Sequence, residues 1–426
     1  MKVLVYLAVC MILPHEALAQ VQVDPEIFGD WSGSIRIQGV ELTIITHFSS
    51  ETSTIDIPQQ GAIGLQLQNV SATKGKAYFE LPAGPGLAVF DGVISGDSIA
   101  GSFTQAGASG TFDLARAEAE AAVTNETARE GESVALAVSD GTLHGTLLLP
   151  ESPPPFPLVI LISGSGPTDR DGNSVGLGGK NNSLRLLAEA LKGESIATFR
   201  YDKRGIGESV VSISESDLRI DSFAVDVSAW HKFMARDARF SKIILAGHSE
   251  GALLASIAAN ADGIDGLISI AGAGRRAEDV LRQQLVGQLP AELMTRTESI
   301  LASLTRGETT DDVPEQLLSL FRPSVQPYMI SWFARDPAEL FNSAKAPKLI
   351  LQGETDIQVN AADAERLAQY SPDAKLRVIA GMNHVLKRVS SDRAEQLASY
   401  TNPDLPVHAD LVSAIVEFVT EVPSQR

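Results

Sequence analysis

Apolar and polar residues alternate with a period of two in short runs across the first part of the chain. The clearest runs are residues 34–38 (SIRIQ), 54–57 (TIDI) and 64–68 (GLQLQ), and residues 110–114 continue the series. This alternation is typical of half-buried β-strands, and the Gly, Ser, Asn and Asp residues between the runs are typical of turns. The pattern predicts a small all-β domain over residues 20–116, either an antiparallel sandwich or a small barrel.

Beyond residue 130 the pattern changes to continuous apolar runs that are separated by helix-like stretches. Runs without alternation are expected for strands that are buried on both faces of a sheet. Eight such runs, most with helical patterns between them, predict an α/β domain over residues 131–426, with an eight-stranded, mostly parallel sheet and helices on both faces. The predicted strands are residues 134–138, 146–149, 158–163, 196–201, 242–247, 266–271, 348–352 and 375–380.

Two segments depart from these patterns. Residues 117–130 (AEAEAAVTNETARE) are rich in Ala and Glu and lack the apolar pattern of a core element, which predicts a partly helical linker between the domains. Residues 275–344 are helix-like and separate the sixth predicted strand from the seventh, so they predict a helical insertion into the sheet domain.

The first twenty residues have the pattern of an export signal. Lys2 precedes an apolar run over residues 3–13, and residues 17–19 (ALA) are small where a signal peptidase inspects the chain. We expect residues 1–19 to be removed as a signal peptide and the mature protein to be periplasmic or secreted. The run is shorter than the roughly 20 residues of a membrane-spanning helix, and no later run reaches that length, so no membrane span is expected. A buried N-terminal helix and a lipoprotein modified at Cys10 are the alternatives.

Composition narrows the classes of function. Hydrophobic residues make up 44% and charged residues 20% of the 426, which excludes a wholly disordered chain. The formal net charge of −19 disfavours a nucleic-acid partner, because such a surface repels phosphate groups. A single cysteine excludes an intramolecular disulfide and a cysteine-based zinc or iron–sulfur site. Neither a His-Glu-x-x-His spacing nor a dinucleotide-binding glycine motif occurs, so no metal or other cofactor is expected.

The pentapeptide GHSEG at residues 247–251 fits the pattern Gly-x-Ser-x-Gly, whose serine is a nucleophile. It directly follows the fifth predicted strand and precedes a good helix former, ALLASIAA. A sharp turn between a strand and a helix presents such a serine at the edge of the sheet. Ser249 is therefore the candidate nucleophile, and the backbone N–H of Glu250 can face a developing oxyanion. A glycine-rich turn with an uninvolved serine is the alternative.

A nucleophilic serine needs a base, and the base needs an acid that orients it. In this architecture the chain order is Ser, then Asp or Glu, then His, and only His384 and His408 follow Ser249. We choose His384 because it lies just past the last predicted strand, whereas His408 lies away from any strand end. For the acid we choose Asp356, just past the strand before it, with Glu354 as the alternative.

The second donor of an oxyanion hole is expected from the loop after the third predicted strand. That loop, residues 163–173 (SGSGPTDRDGN), is rich in small residues, which let backbone amides approach a ligand closely. We assign the backbone N–H of Ser165, with Gly166 as its competitor. A flexible turn without a catalytic role is the alternative.

Three motifs together resemble the α/β hydrolase superfamily. More narrowly, the chain is similar to secreted bacterial esterases that are grouped with serine aminopeptidase-like hydrolases. The resemblance covers about residues 131–426 and implies the catalytic roles assigned above. The motifs are GSGP with DRDG within residues 164–172, YDKRGIGES at 201–209 and GHSEG at 247–251.

The resemblance also bears on segments outside the candidate site. It implies that Asp202 and Arg204 fix a tight turn, and that the insertion at residues 275–344 is a cap. Caps diverge within the superfamily, so the substrate does not follow from the resemblance. No His-Gly-Gly-Gly sequence precedes the oxyanion loop, unlike the hormone-sensitive-lipase-like subgroup. Residues 29–33 (GDWSG) and 110–114 (GTFDL) resemble a small β-domain that precedes the hydrolase in some of these secreted proteins.

The leading hypothesis is a serine esterase that cleaves small-molecule esters of short- to medium-chain acids through an acyl-enzyme. A thioesterase, an amidase or an aminopeptidase on the same residues is the first alternative. An aminopeptidase needs an acidic anchor for a peptide amine, which Glu250, Asp311 or Asp312 would supply. A binding protein of the cell envelope with a degenerate hydrolase domain is the alternative of another class. The sequence predicts no particular oligomeric state.

Overall fold

The computed structural model describes residues 27–37, 40–50, 53–57, 62–83, 86–105, 108–116, 130–174, 180–261 and 263–424. These residues form two compact units, one before residue 117 and one from Glu130 onwards. The expected signal peptide with Cys10, and the predicted linker except for its last residue, lie outside the described residues.

The first unit is an all-β domain, as predicted. Its strands are β1 Gly29–Ile37, β2 Val40–Phe48, β3 Thr54–Ile57, β4 Ala62–Gln66, β5 Gln68–Thr73, β6 Lys76–Ala83, β7 Gly86–Ser95, β8 Ser98–Gln105 and β9 Ala108–Arg116. They follow the order β4–β3–β2–β1–β9–β8–β7–β6–β5, and every neighbouring pair is antiparallel.

This sheet closes into a barrel. β4 and β5 stand at opposite ends of the strand order, yet only Leu67 separates them along the chain. The Leu67 N–H donates to the Ser53 carbonyl oxygen at 2.9 Å. Residues 62–73 therefore form one bent strand that pairs with β3 in its first half and with β6 in its second. Of the two predicted arrangements, the small barrel is the observed one.

Aromatic side chains fill the centre of the barrel. The rings of Phe79 and Phe90 are stacked with centroids 4.5 Å apart, and Phe48, Phe103 and Phe112 pack edge-on around them. Aromatic rings attract one another in these offset and edge-to-face arrangements. The barrel interior is therefore a packed core.

The second unit is built on a mostly parallel sheet that contains all eight predicted strands. Its strands are β10 Glu132–Val138, β11 Gly141–Leu148, β12 Phe156–Ile162, β13 Ala197–Tyr201, β14 Val210–Val211, β15 Phe240–His248, β16 Gly266–Ile270, β17 Lys348–Gly353 and β18 Lys375–Ile379. The order is β10–β11–β13–β12–β15–β16–β17–β18, in which β11 pairs antiparallel with β10 and β13 and the other neighbours are parallel. The short β14 pairs with β11 and was not predicted.

Helices cover both faces of this sheet and form the predicted insertion. The helices are α1 Ser183–Gly193, α2 Ile220–Met234, α3 Glu250–Ala261, α4 Ala277–Leu285, α5 Ala291–Thr305, α6 Leu318–Phe321, α7 Gln326–Phe333, α8 Pro337–Ser343, α9 Ala361–Tyr370, α10 Arg393–Ser399 and α11 Ala409–Glu421. Helices α4 to α8 stand between β16 and β17, and we call them the cap. The predicted fold class is thereby confirmed.

The central strands separate two apolar cores. Along β12, Leu158 and Ile160 pack into one core, whereas Val159 and Leu161 pack into the other. This two-sided burial explains why the strand reads as a continuous apolar run. No helix in the described part of the chain is both long and apolar enough to cross a membrane. The described residues also contain no group of three His, Cys, Asp or Glu side chains that could hold a metal ion.

Candidate active site

Ser249 stands in a sharp turn at the end of the central strand β15. The strand ends at His248, Ser249 has a left-handed φ of 55°, and α3 begins at Glu250. The Ser249 N–H donates to the Ile270 carbonyl oxygen of β16 at 2.9 Å, which ties the turn to the neighbouring strand. A residue other than glycine is strained in this conformation, and such strain concentrates at functional sites. The strand, turn and helix predicted around Ser249 are present.

Glycines leave the room that this turn needs. A Cβ atom on Gly247 would lie 2.0 Å from the Gly251 carbonyl oxygen, and one on Gly251 would lie 2.3 Å from the Ile162 carbonyl oxygen. Both distances are far below van der Waals contact, so neither position accepts a side chain. A Cβ atom on Gly164 would lie 3.2 Å from the Ser249 Cβ, which places the loop after β12 beside the candidate nucleophile.

The structure brings the candidate base and acid together. His384 follows β18 and Asp356 follows β17, and a hydrogen bond of 2.8 Å joins His384 Nδ1 to Asp356 Oδ2. The Asp356 side chain is fully buried, and its Oδ1 accepts the backbone N–H groups of Gln358 and Val359 at 2.8 and 3.0 Å. Because the carboxylate accepts, His384 donates through Nδ1 and leaves Nε2 free to take up a proton.

The alternative acid, Glu354, and the alternative base, His408, lie outside this pair. Glu354 is exposed, and its carboxylate accepts the Gly381 N–H at 3.2 Å. His408 is buried at the start of α11, where its Nδ1 accepts the Asp410 N–H at 3.2 Å and caps the helix. Each side chain therefore serves its own local structure, and the candidate pair is built without them.

His248 connects the serine turn to the loop that carries His384. Its Nε2 lies 2.8 Å from the His384 carbonyl oxygen, which can only accept, so Nε2 carries the proton. Burial, and to a smaller degree the neighbouring His384, lowers the pKa of His248 to about 3, so the ring stays neutral near pH 7. Sequence reasoning gave His248 no role, although its place directly before Ser249 was an available signal.

Within the described part of the chain, no hydrogen bond joins Ser249 to His384. Catalytic hydrogen bonds are often long in a free enzyme and shorten when the substrate binds. Ser249 lines a cavity with an empty volume of about 570 Å³, and a second cavity of about 460 Å³ adjoins it. Ser165, Glu250 and the cap residue Trp332 line both cavities.

Both predicted oxyanion donors lie beside Ser249. Glu250 is the first residue of α3, where helix N–H groups lack a partner within the helix. The loop of Ser165 is held by Thr168, whose hydroxyl donates to the Ser165 carbonyl oxygen at 2.9 Å. The Thr168 N–H donates to the Gly166 carbonyl oxygen at 2.8 Å. Ser165 lines the cavity of Ser249, whereas its competitor Gly166 lines the second cavity.

A buried ionic cluster that the sequence did not predict touches both of these segments. The Lys203 ammonium lies 3.6 Å from Glu250 Oε1 and donates to the Gly164 carbonyl oxygen at 2.5 Å. The Tyr328 hydroxyl, from cap helix α7, donates to Glu250 Oε2. The Lys203 and Glu250 side chains are only 4% and 1% exposed, so each compensates a charge that would be costly to bury alone. We call these three residues the Lys203–Glu250–Tyr328 cluster.

The neighbours of Lys203 fix the turn after β13, as the sequence predicted. Asp202 forms an ion pair of 2.5 Å with Arg170, whose side chain is buried. Arg204 forms ion pairs of 2.6 Å with both Asp140 and Asp226. Burial raises the pKa of Asp226 to about 6 in spite of the guanidinium. These pairs join the turn to three other segments and leave Lys203 facing the second cavity.

Of the three candidate anchors for a peptide amine, only Glu250 lines the cavities, and both of its carboxylate oxygens have partners in the cluster. Asp311 and Asp312 are exposed. The other carboxylate that lines either cavity, Glu215, is paired with Arg322. The described cavity walls therefore hold no unpaired carboxylate for a peptide amine.

The chain is similar to a known family and to several known proteins. Residues 175–388, half of the chain, match the family described as serine aminopeptidase, S33. A curated relative is the esterase EstD of Thermotoga maritima, which is 29% identical over 248 residues. The matched region covers 57% of this chain and 58% of EstD, so it spans less than two thirds of that protein's length.

Solved structures of esterases also resemble the chain. Est1E from Butyrivibrio proteoclasticus, solved with bound ferulic acid, is 21% identical with a TM-score of 0.47 and covers 68% of this chain and 98% of its own. The Pyrococcus furiosus esterase Pf2001 is 17% identical with a TM-score of 0.45 and covers 69% of this chain and 93% of its own.

Proposed function

Because this chain belongs to the serine aminopeptidase S33 family of α/β hydrolases, we propose that it is a serine esterase with Ser249, His384 and Asp356 as its catalytic residues. One observation carries the proposal: these residues follow β15, β18 and β17, at the carboxyl ends of parallel strands of one sheet. In α/β sheets ligands bind at that edge. The bond of 2.8 Å between His384 and Asp356 supports the assignment.

In the first half of the reaction, the Ser249 Oγ attacks the carbonyl carbon of the ester, and its proton passes to His384 Nε2. The carbonyl oxygen becomes an oxyanion, which accepts hydrogen bonds from the backbone N–H groups of Glu250 and Ser165. Asp356 keeps the proton on His384 Nδ1 and stabilises the imidazolium. The intermediate collapses when the C–O bond of the ester breaks and His384 gives its proton to the leaving alcohol. The acyl group remains on Ser249.

In the second half, a water molecule takes the place of the alcohol. His384 removes a proton from this water, whose oxygen attacks the acyl carbon and forms a second oxyanion at the same donors. The bond to Ser249 then breaks, and the proton on His384 returns to the Ser249 Oγ. The products are the alcohol, the carboxylic acid and the free enzyme, so every proton is accounted for.

We favour esters over peptides because Glu250 is already paired in the cluster and because Asp311 and Asp312 lie away from the cavities. The named esterase among the relatives supports the same choice. We propose acyl groups of short to medium length, for which apolar side chains along the two cavities, among them Leu253, Leu281 and Phe223, offer contacts. A thioesterase, an amidase or an aminopeptidase uses the same residues, and each is an outcome of the test below.

The test measures hydrolysis of p-nitrophenyl acetate, butyrate and octanoate by the native protein and by Ser249→Ala. We expect the native protein to be active and the variant to lose at least about a thousandfold in kcat/KM, as when a triad nucleophile is removed. Ser256→Ala is the matched control: its buried hydroxyl on the same helix donates only to the Ala252 carbonyl oxygen, at 2.7 Å.

Other outcomes separate the alternatives. A folded protein that is inert on all three esters but hydrolyses thioesters or aminoacyl amides would replace the esterase by one of its relatives. A protein that is inert on every acyl substrate, and in which a fluorophosphonate leaves Ser249 unlabelled, would favour the envelope-binding protein.

We also propose that the enzyme works in the periplasm or outside the cell. The support is the sequence pattern of residues 1–19. N-terminal sequencing of protein from the culture medium and the periplasm tests this, and a mature chain that begins at Gln20 is expected. An unprocessed chain in the cytoplasm would contradict the proposal.

A further inference from the structure

The Lys203 ammonium donates to one end of the peptide bond whose other end is an assigned oxyanion donor. Lys203 Nζ lies 2.5 Å from the Gly164 carbonyl oxygen. The Gly164 carbonyl and the Ser165 N–H belong to the same planar, trans peptide, so they point in opposite directions. A bond that fixes the carbonyl therefore also fixes the direction of the N–H.

The same ammonium is tied to the second assigned donor. Its ion-pair partner at 3.6 Å is the side chain of Glu250, whose backbone N–H is the other half of the oxyanion hole. The Tyr328 hydroxyl holds the second oxygen of that carboxylate. The cluster thus connects two chain segments, the loop after β12 and the start of α3, on which the hole depends.

Stability alone is a poor explanation for this cluster. A buried ion pair is often no more stabilising than apolar side chains of similar volume, because both charges lose their hydration. The second cavity, which Lys203 faces, is lined largely by apolar and aromatic side chains, among them Ile206, Leu218 and Phe223. An apolar residue in place of Lys203 would suit these walls but would leave the Gly164 carbonyl without this donor.

We propose that Lys203 is a positioning residue for the oxyanion hole: its ammonium orients the peptide between Gly164 and Ser165 and couples it to Glu250. The hydrogen bond also polarises this peptide, which makes the Ser165 N–H a stronger donor. The inference rests on the proposed function, since it assumes that this N–H receives the oxyanion. It extends that function to a residue that does not touch the reacting atoms.

The first experiment compares Lys203→Met with the native protein on p-nitrophenyl butyrate. Removing a whole oxyanion donor costs about 10²–10³ in kcat. Loss of its orientation is expected to lower kcat about 10- to 100-fold while KM stays within about twofold. Affinity for a trifluoromethyl ketone, which mimics the tetrahedral intermediate, is expected to fall by the same factor as kcat/KM.

Lys348→Met is the matched control. Lys348 is equally buried, donates to the Ala344 carbonyl oxygen at 2.8 Å and pairs with Asp373 at 2.9 Å, but it stands at the start of β17, the end away from the site. We expect this variant to lose stability without losing kcat. Equal losses of kcat in both variants would reduce the role of Lys203 to general stability and overturn the proposal.

The double variant Lys203→Met/Glu250→Gln covers the case in which Lys203→Met alone fails to fold. It removes both charges, so no buried carboxylate is left unpaired, and its thermal midpoint is expected to approach that of the native protein. Its kcat is expected to stay low, because the Gly164 carbonyl still lacks its donor. Recovery of kcat together with stability would contradict the proposal.

Hydrogen exchange separates this inference from the proposed function. Amides of residues 163–166 and 168 are expected to exchange faster in Lys203→Met than in the native protein or in Lys348→Met. If the native protein proves inert on esters while this loop still loosens, the esterase proposal fails and the oxyanion role falls with it, whereas Lys203 still orders the loop. If native activity is present but neither the loop nor kcat responds to Lys203→Met, the positioning role fails and the esterase proposal stands.

Discussion

The hydrogen bonds around the Asp356 carboxylate hold it in place to accept the His384 Nδ1–H. Two backbone N–H groups hold Oδ1, while His384 and the Gln352 amide, at 3.2 Å, reach Oδ2. An amide in its place can present an N–H to His384 Nδ1, which favours the wrong tautomer. We expect Asp356→Asn to lower kcat/KM on p-nitrophenyl butyrate about 10³- to 10⁴-fold.

The matched control for this variant is Glu354→Gln. It alters a carboxylate two residues away that is exposed and accepts only the surface N–H of Gly381 among the described residues. Its kcat/KM is expected to stay within about twofold of the native value. Comparable losses in the two variants would remove Asp356 from the proposed catalytic residues.

His248 makes stability depend on pH. The unfolded chain takes up a proton at this residue near pH 6.5, whereas the folded protein does so only near pH 3. Between these values the unfolded state binds more protons, so stability falls as the pH falls, by about 1.4 kcal/mol per pH unit. We expect His248→Gln, whose amide can still donate to the His384 carbonyl, to flatten this dependence in urea titrations at pH 7 and pH 5.

Two buried acids act in the opposite direction and make the comparison of variants necessary. Burial raises the pKa values of Asp169 and Asp226 to about 6, so both groups bind protons in the folded state first and favour folding as the pH falls. They are present in the native protein and in His248→Gln alike. The difference between the two titrations therefore isolates His248, and parallel curves would show that its ring does not stay neutral.

Among the elements, the serine turn depends most strictly on its glycines. A methyl group on Gly251 would lie 2.3 Å from the Ile162 carbonyl oxygen, so β12 or α3 must move to accept it. We expect Gly251→Ala to abolish fluorophosphonate labelling and to lower the thermal midpoint. Gly193→Ala, at the end of α1, meets no atom within 4 Å and is expected to change neither. Normal labelling of Gly251→Ala would show that the turn tolerates displacement.

Elements with a strong period were predictable, and those set by distant contacts were not. The eight main strands of the second unit follow from apolar runs such as β12, because two-sided burial leaves a clear pattern. β14 has only two residues and forms because β11 lies beside it, so its sequence is too short to show a hydrophobic period. Likewise, residues 62–73 show alternation, but nothing in that pattern says that one strand bends to close a barrel.

In the candidate site, too, residues that follow recognisable strands were predictable, whereas contacts between distant parts of the chain were not. Ser249, Asp356 and His384 could be proposed from the sequence because each follows a strand whose sequence is recognisable. The contact between Tyr328 and Glu250 joins residues 78 positions apart through the packing of the cap, which no local spacing encodes. Lys203 was hidden for another reason: it lies in a motif whose neighbours do serve the turn, and sequence alone cannot tell which of its charges faces a cavity.

At the scale of the whole molecule, the division into two units predicts separate responses to core mutations. Phe90 is fully buried among the aromatic rings of the barrel. We expect Phe90→Ala to destabilise the barrel by about 3–5 kcal/mol and to lower the midpoint of one thermal transition only. The kcat on p-nitrophenyl butyrate, measured below that transition, is expected to stay unchanged. A parallel loss of activity would show that the second unit depends on the barrel.

A ring of strands has no outermost member. In an open sheet the last strand keeps a row of unpaired backbone groups that can recruit a strand from another molecule, but β1 is flanked on both sides by β2 and β9 of its own chain. The same closure sets a condition on synthesis, since β1 gains its second neighbour only after residue 116 has been made. Until then β1 has an unpaired edge, which pairs with β9 in the finished barrel.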